Sequence, residues 1–280
     1  MSKFLTNAAV IDFDSEVKHE YQAMGKLRNT VTTRSNVTGE SYKFARMGKG
    51  LANQKASQAD VTPMDVSYAR QTATMENWNA PEYTDIFDQA EVNFDEKSEL
   101  AKAIAKAITR REDQIIIDVI AAGTYSATPA GDPDVGLTVA TTGAGLTVAQ
   151  LRSASTGLTK RAVESGDRTL ILSADSLSSL LGETETTSSD FNTVKALVQG
   201  EIDTFLGFKF VVIEDRDEGG LPALTNFAYH KASVGYAIGL DMKTSVDWVA
   251  QKTSWLCNGI LKAGAVLREA GGIVKISTTS

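Results

Sequence analysis

Between residues 96 and 122, apolar side chains return every three or four positions: Leu100, Ala103, Ile104, Ala107, Ile108, Ile115, Val119 and Ile120. That spacing predicts one long amphipathic helix, opened by Asp95 or Ser98 and stopped at Gly123. At 1.5 Å rise per residue it spans roughly 40 Å. Few globular helices are that long, so it is expected to act as a spine under a sheet. Arg110, Arg111, Glu112 and Asp113 interrupt the stripe. Such a run reads first as a solvated face, and second as a source of ion pairs within the helix or between subunits.

The chain ahead of the helix has a different texture. Residues 1–30 show weak periodicity and mixed charge, with a short helix expected near Glu16–Met24. Val31–Thr33, Ser41–Met47 and Thr72–Trp78 read as strands with one weakly apolar face. Residues 48–58, rich in Gly, Lys, Asn, Gln and Ser, read as the tip of a hairpin-like ribbon. Two strands bury too little apolar area to stand alone. Little cover for the ribbon is visible in its own chain, so it is expected to borrow burial from a neighbouring copy.

After the helix, residues 124–145 read as a loop. Thr147 and Gln150 have the spacing of a capping box, and Leu151, Ala154, Leu158 and Ala162 continue a helix. Arg168–Leu172 is expected to be a buried strand and Ser173 to cap a brief helix ending at Gly182. Asp190 is expected to cap another helix, ending at Gly200. Lys209–Ile213 and Asn226–Tyr229 read as strands and Ala232–Ile238 as a helix. Thr244–Val249, Trp255–Leu267 and Ile273–Ile276 read as extended.

With 280 residues the chain can bury a substantial core. Its net charge of −7 argues against general nucleic-acid binding, which needs a basic footprint. The charge is uneven: residues 1–75 carry ten Lys/Arg against seven Asp/Glu, whereas 76–118 carry five against eleven. Opposite leanings in neighbouring segments suit a surface that docks on copies of itself. Cys257 is the single cysteine, which excludes an intrachain disulfide and fits a reducing compartment. Neither a signal peptide nor an apolar run long enough to span a bilayer is expected.

Residues with catalytic potential are sparse. The sequence has no Gly-rich phosphate loop, no G-x-G-x-x-G and no G-x-S-x-G. His19 and His230 are the only histidines, too few for a histidine-based triad or zinc site, and His230 reads as structural. Cys257 reads as a buried thiol. The carboxylates Asp12, Asp14 and Glu16 lack the Gly and terminal Glu of a calcium loop. Glu214, Asp215, Asp217 and Glu218 form an acidic loop. It reads as solvated, or alternatively as lying near a symmetry axis where like charges converge. No metal, cofactor or catalytic residue is assigned. Lys43, Arg46, Lys49, Lys55 and Arg70 in the ribbon would contact nucleic acid or dock on the acidic segment Glu76–Glu99 of a neighbour. Docking is favoured, because the cations are sparse and lack stacking aromatics. Trp78, Tyr83 and Phe87 read as packing anchors.

Four stretches then carry a resemblance by their order: Gly39-Glu40-Ser41-Tyr42-Lys43-Phe44 in the ribbon, Arg110-Arg111-Glu112-Asp113-Gln114 in the helix, Ser188-Ser189-Asp190-Phe191-Asn192, and Gly200 to Phe210 with its Phe-Leu-Gly-Phe. In this order the chain resembles the major capsid proteins of tailed bacteriophages, of the Hong Kong 97-type capsid fold and its small podophage-like members. The resemblance implies an α+β chain with an N-terminal arm (1–30), an extended β-hairpin loop (31–80), a peripheral domain with the spine helix (81–145), an axial α/β domain (146–240) and returning strands (241–280). It implies self-assembly into pentamers and hexamers of an icosahedral shell around double-stranded DNA, contacted non-specifically. Also implied are a separate scaffolding protein, a portal, a decoration protein at some shells, noncovalent assembly in a bacterial cytoplasm, and no membrane. Tyr42, Lys43, Phe44, Arg46, Lys49, Arg70, Trp78, Arg110 and Arg111 are the interface candidates. An encapsulin-like compartment shell and a soluble α/β enzyme or binding protein are the alternatives.

Overall fold

The computed structural model describes residues 24–87, 95–129, 131–140, 145–182, 204–214 and 219–279. The helix expected near Glu16–Met24 falls almost wholly outside them, and the one expected from Asp190 to Gly200 entirely so. In chain order, a 3-10 turn at Arg28–Thr30 precedes β1 (Thr32–Arg34), β2 (Ser41–Met47), β3 (Tyr68–Thr74), β4 (Glu76–Asp85) and α1 (Glu96–Ala121). β5 (Tyr125–Ser126), β6 (Gly136–Val139), α2 (Val148–Lys160), β7 (Arg168–Ser173) and α3 (Ala174–Gly182) follow. β8 (Thr204–Phe205), β9 (Phe208–Ile213), β10 (Thr225–His230), β11 (Val234–Val249), β12 (Ser254–Leu267) and β13 (Ile273–Ser277) complete the order.

The strands form a four-stranded sheet ordered β1-β11-β12-β4, a seven-stranded sheet ordered β5-β6-β13-β10-β7-β9-β8, and the β2-β3 ribbon. The chain divides into two compact units, residues 1–24, 77–110 and 242–261 in one, and 25–76, 111–241 and 262–280 in the other. α1, β11 and β12 contribute residues to both.

In the larger unit the seven-stranded sheet holds the core. β7 is buried from Arg168 to Leu172, as a strand covered on both faces must be. Leu170, Leu172, Phe208, Ala228, Val274 and Ile276 pack with Leu151, Ala154 and Leu158 of α2 and Leu180 of α3. The expected capping box is present: Thr147 Oγ1 accepts from the N–H of Gln150 at 3.3 Å, and Gln150 Oε1 accepts from the N–H of Thr147 at 3.0 Å. Gln150 Nε2 also donates to the Ser277 carbonyl at 3.1 Å. The cap therefore ties α2 to the end of β13, as well as satisfying a helix terminus. Ser173 Oγ accepts from the N–H of Ser176 at 3.2 Å and caps α3 as expected.

The charged run of α1 departs from expectation. Glu112, Asp113 and Gln114 are buried, Asp113 completely, so they are not a solvated face. Glu112 and Asp113 lie four and five positions past Ile108 and four before Ile116 and Ile117 respectively, all buried. The stripe therefore continues through the acids, and Ile116 and Ile117, rather than the half-buried Ile115, carry it on to Ile120. Asp113 takes the backbone N–H of Lys26 on both oxygens, at 3.1 and 2.9 Å, and the N–H of Leu27 at 2.8 Å. Glu112 accepts from Tyr236 Oη at 3.3 Å and lies 3.5 Å from Arg28 Nη1. Burial raises the Glu112 carboxyl above its ordinary value, and the Arg28 guanidinium pulls it part of the way back. Arg28 makes a two-pronged bond to Asp241, at 2.9 and 2.7 Å. Gln114 Oε1 accepts from the N–H of Gly220 at 2.7 Å. The polar groups are buried because each has a partner on a distant segment.

Four further expectations are corrected. Ala232–Ile238 is not a helix but a 3-10 turn, Lys231–Ser233, followed by β11. Val234 to Ile238 are all buried, a short unbroken apolar run that periodicity cannot assign. β1 decides the outcome by pairing with it in parallel, Thr32 to Gly235 through Arg34 to Ala237. β1 is thus a sheet strand and not part of the ribbon. Residues 124–145 are not only loop, because β5 and β6 extend the seven-stranded sheet by parallel pairing. Gly123 does not end α1 through a positive φ; a Cβ there would meet Leu267 Cδ1 at 2.8 Å and Tyr125 Oη at 3.0 Å.

Replacing Asp113 with Ala leaves the buried N–H of Leu27 and the part-buried N–H of Lys26 without their acceptor. It is expected to lower the stability of the unassembled subunit by about 1–3 kcal/mol in urea unfolding. Lys102→Ala, which removes an exposed ion pair, is expected to cost less than about 0.5 kcal/mol.

Candidate intersubunit surfaces

β2 and β3 pair without a slip from Ser41–Thr74 to Met47–Tyr68, so alternate side chains share a face. On one face of the ribbon root, Phe44 and Ala73 are buried with Met75 and Ala237, and Val37, Tyr42 and Val266 pack around them. Tyr42 meets Phe44 edge-on, with ring centroids 4.8 Å apart, and the Arg268 guanidinium lies 5.5 Å from the Phe44 centroid. Two glycines make room. A Cβ on Gly235 would sit 2.9 Å from the Phe44 ring, and one on Gly264 would overlap the Thr74 carbonyl. Arg46 adds a two-pronged ion pair to Asp134, at 2.8 and 3.3 Å. It holds the Asp134 carboxyl below the usual carboxylate range. The expectation that the ribbon lacks cover in its own chain is therefore overturned for its root.

The expectation survives for the tip. The last ladder-like bond is Gly48 N–H to the Ser67 carbonyl, 2.7 Å. Beyond it, residues 49–66 hold no strand or helix. Leu51 is 80 % exposed, Val61 74 % and Met64 53 %. At the junction with the root, Met47 and Tyr68 are also exposed. These side chains have no cover from the described residues of their own chain.

The structure thus divides the interface candidates. Phe44 and Arg46 are engaged inside their own subunit, and Tyr42 is half-buried against Phe44. Lys43, Lys49 and Arg70 are exposed. Trp78 is half-buried on β4, and Arg110 and Arg111 are half-buried on α1. Glu214 pairs with the Lys26 ammonium, whereas Asp215, Asp217 and Glu218 lie outside the described residues. Of the expected packing anchors, Tyr83 and Phe87 are exposed. The Lys252 ammonium sits 3.8 Å from the Tyr83 ring centroid.

The reading from sequence missed two features. One is the Glu112–Asp113–Gln114 cluster, whose place in the helical stripe was the available signal. The other is a pair of tryptophans, Trp248 and Trp255, with centroids 5.2 Å apart and the Lys97 ammonium 4.1 Å from the Trp255 ring. Lys97 lies some 150 residues from the two tryptophans, and no periodicity links the three.

Cys257 is buried, and burial raises its thiol pKa. His230 Nδ1 accepts from the N–H of Ala232 at 3.2 Å and so closes a turn. Among the described residues no group of three or more His, Cys, Asp or Glu is placed to hold a metal ion. No described helix is long and apolar enough to cross a membrane.

A family model described as phage capsid protein matches residues 5–280. No curated protein sequence matches the chain significantly. Among solved structures, the capsid of cyanophage P-SCSP1u aligns with a TM-score of 0.79 at 14 % identity, covering 100 % of this chain and 96 % of that one. The head of Helicobacter pylori bacteriophage KHP40 aligns at 0.74 and 8 %, covering 97 % and 96 %. The capsid of a native GTA particle aligns at 0.73 and 16 %, covering 100 % and 99 %. These likenesses show the fold, and it is the α+β capsid fold expected from the sequence.

The Arg46–Asp134 pair sets a sign for acid sensitivity. A carboxylate held below its unfolded value contributes stability above the unfolded pKa, near 4, and loses it as pH falls through the folded value. Asp134→Asn should remove that part of the acid limb in urea unfolding between about pH 5 and 2, leaving a shallower loss than in the parent.

Proposed function

Since the chain belongs to the phage capsid protein family and is a major capsid protein that builds the shell of a virion, we propose that its shell is icosahedral, closes around packaged double-stranded DNA, and is held by the ribbon tips. The observation that carries this reading is the two-part ribbon. Its root is fixed to the subunit by Phe44, Ala73 and the Arg46–Asp134 pair. Its tip carries exposed apolar side chains with no cover from the described residues of its own chain.

In this reading the tip lies on the next subunit. The exposed cations Lys43, Lys49 and Arg70 face the acidic stretch of residues 76–99 there, and charge complementarity sets register more than raw affinity. Many such contacts, each weak, sum over a closed symmetric lattice. The glycines at 48 and 50 let one sequence meet slightly different neighbours in pentamers and hexamers. Residues 1–30 serve as the arm, 31–80 as the extended loop, 81–145 as the peripheral domain, 146–240 as the axial domain and 241–280 as returning strands. The acidic loop at 214–218 lies towards a symmetry axis.

A separate scaffolding protein guides assembly in a bacterial cytoplasm, a portal occupies one vertex, and a decoration protein is an optional outer partner. DNA is contacted without sequence preference, and no membrane or cofactor takes part. The chain carries out no chemistry of its own.

Deleting residues 48–58 tests the reading. The root contacts stay intact, so the subunit is expected to remain soluble and folded by circular dichroism, while closed shells disappear from negative-stain images. Normal-sized particles from the deletion variant would remove the tip from the assembly mechanism.

A further inference from the structure

Two adjacent carboxylates of α1 are buried in the larger unit, and they are matched unequally. Asp113 takes three bonds from backbone N–H groups, at 3.1, 2.9 and 2.8 Å. Among the described residues Glu112, 4 % exposed, meets one neutral donor, Tyr236 Oη at 3.3 Å, and one cation, Arg28 Nη1 at 3.5 Å. Both approach the same oxygen, Oε1. A well-made bond from a guanidinium to a carboxylate is shorter, about 2.7–2.9 Å.

Arg28 is also committed elsewhere. Its guanidinium closes on Asp241 through two bonds, at 2.9 and 2.7 Å, and Asp241 is exposed. One cation therefore stands between two carboxylates, bonded to the exposed one and merely adjacent to the buried one. A buried carboxylate is costly unless charge and hydrogen bonds compensate it. Asp113 is compensated; Glu112 falls short, and a proton makes up the difference.

The groups that face Glu112 point the same way. They are Arg28 from the 3-10 turn, Tyr236 and Asp241 from β11, and Asp113 beside it on α1. Burial, the largest effect, lifts the Glu112 carboxyl, Arg28 lowers it, and the two other acids lift it again. Burial and the Glu112 charge push the Tyr236 phenol well up, so it stays a donor.

We propose that Glu112 is a proton-operated latch on the leading segment. Ionised, it draws the Arg28 guanidinium towards α1, and Arg28 bridges that helix to β11. Protonated, it keeps only Tyr236, and Arg28 turns wholly to Asp241. The leading segment then stays tied to α1 through Lys26 and Leu27 alone. Thr30 Oγ1 still bonds Tyr229 Oη at 2.6 Å, so it is the Arg28 side of the turn that loosens. The device needs no neighbouring copy, so it belongs to the single subunit and stands apart from the shell reading.

Its sign is opposite to that of Asp134. A carboxyl whose folded value lies above its unfolded one takes its proton in the fold first. Stability therefore rises as pH falls through the folded value, and the gain is complete below the ordinary value of 4.5. On acidification Glu112 acts first and the Arg46–Asp134 pair gives way afterwards.

Carbon-13 NMR of the Glu112 carboxyl, in the full-length unassembled subunit, reads the latch directly. Its titration midpoint is expected above 4.5. Arg28→Gln should move the midpoint further up. Asp241→Asn frees the guanidinium for Glu112 and removes a facing acid, so it should move the midpoint down. Amide hydrogen exchange over residues 28–31, corrected for the intrinsic rate, is expected to quicken several-fold in the parent between about pH 7 and 4.5. Glu112→Gln carries the neutral shape at every pH, so its exchange should be fast at both values. A parent midpoint at the ordinary value overturns the proposal. So does a Glu112→Gln variant whose exchange quickens with acid as the parent's does. Should that variant not fold, Arg28→Gln and Asp241→Asn decide alone: midpoints that fail to move apart overturn the proposal as well.

Discussion

One buried carboxylate organises the larger unit. Asp113 has no access to solvent and takes three hydrogen bonds from the backbone of Lys26 and Leu27. A charge placed so deeply is tolerable only because backbone N–H groups surround it. In return, a segment more than eighty residues away in sequence is fixed against the helix. Glu112 and Gln114 extend the same arrangement, one to Tyr236 and Arg28 and the other to Gly220. A single turn of helix thereby holds the start of the described chain, β11 and the loop before β10.

That turn also shows how much the sequence disclosed. The helix itself was legible, because period and length agree over Glu96–Ala121. The capping box at Thr147 and Gln150 was legible for the same reason: it is local, and its chemistry is complete within four residues. The burial of Glu112 and Asp113 was not legible from residue type, since charge runs are usually solvated. Position along the stripe carried the information, and residue type overrode it in the reading. β11 was misassigned for a different reason. Five consecutive apolar residues carry no period, and the choice of strand was made by a partner two hundred residues earlier, β1.

The ribbon was half legible. Its two strands were marked by Ser41–Met47 and by the alternation that runs on from Thr72, which in the fold passes through buried Met75 into β4. The cover over its root was not visible, because it comes from Ala237 and Val266 and depends on glycines at 235 and 264. Glycine in a strand usually weakens it; here each absence of a side chain is the space that another group fills. The interface candidates divide along the same line. Phe44, Arg46 and half-buried Tyr42 at the root serve their own subunit, whereas Lys43 and Arg70 on the strands, and Lys49 and the aliphatic side chains of the tip, are exposed.

The Thr74 carbonyl leaves no volume for even a methyl group on residue 264, so the ribbon is clamped at one end like a cantilever. In such a beam, deflection at the free end grows steeply with unsupported length while the clamped end scarcely rotates. Under the reading in which the tip joins one subunit to the next, the angular latitude of each joint is written in the number of residues beyond Gly48, and lengthening or shortening that stretch would tune curvature while the core is left untouched.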